Sequence, residues 1–113
     1  MRTPDEDRRA VWDALQVFWM DADPSDFIDN AAEICARSKY SLDELEEIYW
    51  DEVRPALRAN LRSIAGEWRG FNIESLTEMI LAKPSAPPRW LDRESARWWQ
   101  KLRARIAAAR LLE

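Results

Sequence analysis

Glycine occurs only twice in these 113 residues, at Gly66 and Gly70. Tight hairpin turns need a residue that tolerates positive φ, so this scarcity argues against a hairpin-rich β protein. It favours helices joined by short connections. An apolar content of 47% with 34% charged residues is that of a globular chain, and the length suits one domain. The expectation is all-α: a single compact bundle of five to six helices with a C-terminal basic amphipathic helix. The core is expected over residues 1–83, a proline-rich connector over 84–90, and the last helix over 91–113, docked back on the core.

Helix boundaries can be read from capping chemistry. Thr3-Pro4-Asp5-Glu6 is a capping box with proline in the first turn, and Val11, Ala14, Leu15, Phe18 and Trp19 follow at helical spacing to about Met20. Asp23 caps a second helix opened by Pro24, with Phe27, Ile28, Ala31, Ile34 and Cys35 on its buried face to about Arg37. Ser41-Leu42-Asp43-Glu44 is another capping box, and Tyr40 before it can staple onto Leu45. Leu42, Leu45, Ile48, Tyr49 and Val53 make the core face. Proline at position 55 should stop or kink this third helix. Gly66 and the Trp68–Phe71 segment predict a helix end and a turn, and Asn72 caps a further helix with the stripe Ile73, Leu76, Met79 and Ile80. Beyond Pro84-Ser85-Ala86-Pro87-Pro88 the chain has no helix breaker. Leu91, Trp98, Leu102, Ile106 and Ala109 then fall on one side, with Trp98 and Leu102 expected as the docking anchors.

Several chemistries lack their residues. There is no histidine and a single cysteine, Cys35, which removes the commonest general base and the usual zinc ligands. Cys35 lies in an apolar helical pattern and is expected to be buried and inert. The acids from Asp21 to Asp29 resemble the start of a calcium loop, but Asp26 stands where glycine is required and Ala32 where a bidentate glutamate is required. No phosphate-binding glycine fingerprint is present. The expectation is a protein that is not an enzyme and has no cofactor. No apolar run reaches bilayer-spanning length and no signal peptide is evident, so the expected compartment is the cytoplasm.

Charge is distributed unevenly. Residues 1–52 carry 5 basic and 15 acidic side chains, whereas residues 53–113 carry 12 basic and 6 acidic. The two halves can attract each other, or the acidic half can present a field to a basic partner. If helices two and three pack antiparallel across their short connection, their outer acids merge into one patch. The expected partner-binding residues are Asp23, Asp26, Asp29, Glu33, Asp43, Glu46 and Glu47, with Tyr40 and Trp50 as the desolvated anchors. No nucleic acid is expected as a partner, and the oligomeric state is left open. Of seven tryptophans, most are expected to fill the core, with one or two exposed as interface anchors.

The run YSLDELEEIYWDEVRPAL…NL.SIAGEW.GF, preceded by VWDALQVFWMDAD, resembles a family of small uncharacterised bacterial all-helical proteins. The resemblance covers about residues 8–81, and Ala65 to Phe71 is its most specific part. The region after Pro84 lies outside it. In size, helicity and acidity the chain is also similar to helical immunity proteins that protect bacteria from toxins, a fold-and-charge analogy without a shared motif. It implies a non-catalytic protein that neutralises a cognate basic toxin domain. The alternative is a regulatory or adaptor module whose basic, tryptophan-bearing C-terminal helix engages membrane or nucleic acid.

Overall fold

The computed structural model describes residues 6–19, 23–60 and 72–112. Its elements are helical: α1 (Glu6–Leu15), α2 (Ile28–Arg37), α3 (Leu42–Glu47), a π-helical stretch (Ile48–Val53), α4 (Arg54–Asn60), α5 (Ile73–Leu81) and α6 (Arg93–Leu111). Short 3-10 turns follow α1 and precede α2 and α6. The predicted Thr3 cap, the segment Gly66–Phe71 and the end at Met20 lie outside the described residues.

Local chemistry explains the boundaries. The Ser41 hydroxyl accepts from the Glu44 amide at 3.1 Å while the Glu44 carboxylate accepts from the Ser41 amide at 3.0 Å, so both halves of the capping box form. Asn72 accepts from the Ser75 amide at 2.8 Å and starts α5. Asp23 caps as expected, although what it opens is the 3-10 turn Pro24–Asp26, and α2 proper begins at Ile28. One consequence is that Phe27, expected inside, is 42% exposed.

Pro55 neither stops nor sharply breaks the third helix. In a regular α-helix its ring would meet the carbonyl of Asp51. The chain avoids this by widening: the Arg54 amide bonds to the Tyr49 carbonyl five residues back, and the π turn carries the helix past the proline into α4. The same widening leaves Ile48, Tyr49 and Trp50 all buried in succession.

Tyr49 is the hub of the core. Its ring lies 4.8 Å from that of Trp19, 5.2 Å from Trp99, 5.4 Å from Trp50 and 5.9 Å from Phe18. Its hydroxyl donates to the Ser95 carbonyl at 2.6 Å, and the Trp19 indole donates to the Ser95 hydroxyl at 3.1 Å. The beginning of α6 is thus bonded to two different parts of the bundle. Trp99, Leu102 and Ile106 complete the core from α6.

This differs from the expected register of the last helix. Trp99, not Trp98, is the deep anchor; Trp98 is half-buried with the Lys101 ammonium 4.9 Å from its ring centre. Leu91 is exposed, because Asp92 caps α6 by accepting from the Ser95 amide and leaves Leu91 in the preceding 3-10 turn.

Helix α2 packs along α6. Arg105 meets Asp29, and Arg110 meets Cys35 and Ala36, so contacts advance in the same direction along both helices and α2 runs parallel to α6. α3 packs on α6 as well. The expected antiparallel pairing of α2 with α3 does not form as a packed helix pair: α2 packs chiefly on α6, and α3 packs on α6 and on the π-helical stretch. Arg110 also donates to the carbonyls of Cys35, Ala36 and Tyr40. A cation from α6 therefore closes the C-terminal end of α2, where the helix dipole favours it.

Candidate protein-interaction surfaces

The sequence-predicted acids divide into those that the fold neutralises and those that it leaves alone. Asp29 accepts from Arg105 at 2.9 Å, and Glu33 pairs with Arg37 one turn on. Asp23 is exposed but occupied, since its carboxylate accepts from the Ser25 amide at 3.0 Å; that bond holds its carboxyl below the usual carboxylate range. Asp26 is exposed. On α3, Asp43 and Glu47 are exposed and Glu46 is half-buried. Their three- and four-residue spacing puts them side by side on the helix surface, and no ion pair reaches any of them among the described residues. The α2 acids Asp29 and Glu33 are thus paired with cations, whereas the α3 acids have no ion pair among the described residues.

Tyr40 and Trp50, expected as exposed anchors, are both buried, at 5% and 4% exposure. Both belong to the hydrophobic core, and cations lie over each ring. The Arg8 guanidinium lies 5.4 Å and the Lys39 ammonium 5.7 Å from the Tyr40 ring centre. Over Trp50 the corresponding distances are 5.1 Å for Arg54 and 5.3 Å for Arg89. Each such contact is worth about 0.5–2 kcal/mol according to how far it is desolvated. Both rings are packed within the fold and present little surface to solvent.

Among the described residues the exposed tryptophan is Trp90, at 76%, next to Leu91 at 58%. Both sit on the 3-10 turn Arg89–Leu91 between the proline-rich connector and α6. The sequence did carry a signal for this. Asp92-Arg93-Glu94-Ser95 has an N-cap followed by an acid in the first turn, which places the helix start at Arg93 and leaves Trp90 outside.

Around this turn the polar contacts are dense. Arg54 donates to Asp92 at 3.2 Å and to the Pro87 carbonyl at 2.7 Å. Arg89 donates to Asp51 at 2.9 Å, and Arg58 approaches Asp92 at 3.9 Å. Burial alone would raise the Asp92 carboxyl, but the Ser95 amide together with Arg58 and Arg54 outweighs it and holds the group below its ordinary value.

Other chemistry-bearing groups are quiet. Cys35 is fully buried and its thiol is pushed up to about 12 by desolvation, as an inert core cysteine should be. An open groove of about 480 Å³ lies between α1 and α5, lined by Glu6, Arg9, Ala10, Asp13, Ile73 and Glu74. No group of histidine, cysteine or acidic side chains among the described residues is arranged to hold a metal, and no helix among them is long and apolar enough to cross a membrane.

A family model described as "Domain of unknown function (DUF7079)" matches residues 6–112. The chain belongs to that family. The match runs through the connector and α6, so the region after Pro84, which the resemblance in the sequence had left out, is part of the family unit. That agrees with the packing, in which Trp99, Leu102 and Ile106 are core residues of the DUF7079 fold. No match was found among curated proteins or among solved structures.

Proposed function

We propose that this protein is a non-catalytic binding protein that engages a cationic protein surface through the outer face of α3. In its specific form, the partner is a basic toxin domain that it neutralises inside the producing bacterium. The observation that supports this reading is the unequal treatment of its acids. Asp29, Glu33, Asp51 and Glu52 each have an internal cation, whereas Asp43, Glu46 and Glu47 lie together on one helix with none among the described residues. Like charges at such spacing repel by a few tenths of a kcal/mol per pair, a cost that a cationic partner would relieve while gaining association rate.

The alternative adaptor reading needs the apolar side of the C-terminal helix to be free for a membrane or nucleic acid. In the fold that side is spent on the core, with Trp99, Leu102 and Ile106 all buried. Removal of residues 84–113 should accordingly unfold the remainder.

The test is co-expression with the toxin domain encoded beside its gene. Wild type should rescue growth and the triple variant D43K/E46K/E47K should not, while its circular dichroism stays that of the wild type. Absence of such a neighbouring gene, or death with wild type, overturns the toxin form. Rescue by the triple variant overturns the acidic face.

A further inference from the structure

Exposed tryptophans are usually tolerated on loose segments, where they can fold down onto the surface. Trp90 is different. Its turn is held on both sides by interactions of a kind that proteins seldom spend on a connector. Before it, the Pro87 carbonyl is bonded by the buried Arg54, and Arg89 is fixed both by Asp51 and by the face of Trp50. After it, Asp92 is at once the α6 cap and the buried partner of Arg54. The result is a turn tied to the bundle on both sides, on which an indole and a leucine are exposed to solvent.

The charges beside it have one sign in excess. Arg93 and Arg97 follow on successive turns of α6, both exposed and neither ion-paired among the described residues. Arg58 shares Asp92 with Arg54 and is 42% exposed. The exposed Glu94 offsets one of these cations. Tryptophan and arginine are the residues most enriched at energetic centres of protein interfaces, and guanidinium groups recognise carboxylates with two parallel hydrogen bonds.

The geometry points to a second docking surface centred on Trp90, whose occupant is an acidic segment of a partner protein that packs a large apolar side chain against the indole. Leu91 extends the apolar contact, and Arg93 and Arg97 pair with the partner's carboxylates. Because the turn is already held in place, little ordering entropy is lost on binding. The inference is independent of the α3 reading, since it uses different residues and a partner of opposite charge.

The experiment selects a displayed random-peptide library on the immobilised full chain and measures the recovered peptides by fluorescence anisotropy. Acidic peptides bearing a large apolar residue should be enriched. Their affinity should fall at least about tenfold for W90A, and more for R93E/R97E, with the melting temperature of each variant close to that of wild type. D43K/E46K/E47K should bind them unchanged. The proposal is overturned by an unenriched library, by peptides without acidic bias, or by equal binding to W90A. It is also overturned if Trp90 instead mediates binding to phosphatidylserine vesicles, or self-association seen by sedimentation.

Discussion

Arg54 and Asp92 lie 3.2 Å apart with both side chains only 5% exposed, and the pair joins the start of α4 to the N-cap of α6. A buried ion pair is seldom a large net source of stability, but a lone buried charge is expensive. Asp92→Ser keeps a capping hydroxyl and removes the charge. It should cost about 3–5 kcal/mol in urea unfolding because Arg54 is left buried without its anion. The double variant R54M/D92S should recover part of that loss, since neither charge then remains.

The same pair sets a dependence on pH. Asp92 has a folded-state carboxyl below its ordinary value, so its contribution is fully present above the unfolded value of about 3.9 and is lost as pH falls through the folded one. Stability measured by chemical denaturation should therefore decline below about pH 4. In Asp92→Asn, which has no carboxyl to protonate, that decline should be shallower.

Glu52 gathers two donors from α1. The Trp12 indole donates to it at 2.8 Å, and Arg8 donates to both of its carboxylate oxygens, at 3.1 Å from Nε and by a short contact from Nη2. Glu52→Ala leaves a buried indole N–H without its acceptor and should cost about 1–3 kcal/mol in equilibrium unfolding.

Lys83 ends α5 in the left-handed region, with φ of 51°. A Cβ is unfavourable there, and glycine is the usual residue at such a helix end. Lys83→Gly should raise the unfolding free energy by up to about 1 kcal/mol. A loss of stability would show that the Lys83 side chain makes a contact outweighing the backbone strain.

Cys35 should resist thiol reagents in the folded protein. Its pKa of about 12 and complete burial keep it in the unreactive thiol form at neutral pH. Labelling by an aromatic disulfide should wait for unfolding, so its rate in denaturant should track the loss of helical signal.

Some elements could be read directly from neighbouring residues. The capping box at Ser41 and the cap at Asn72 stand where the sequence places them, because each needs only residues within one turn. The helical class follows from the same locality, together with glycine scarcity. The burial of Cys35, too, could be read from the apolar residues around it in α2.

What the sequence by itself determined, then, was which segments become helices and which positions carry charge. It did not determine the fate of Tyr40 and Trp50, whose covering cations Arg8 and Arg89 come from distant segments. Nor did it determine which acids remain free, since Asp29 is neutralised by Arg105 from 76 positions away. Trp99 takes the buried place expected of Trp98, and Trp90 is left exposed, only when the Asp92 cap and the Tyr49 cluster set the start and rotation of α6. Only the tertiary structure decided these points. Helix formation is a matter of neighbours along the chain, whereas exposure and pairing depend on which surfaces the packed helices bring together.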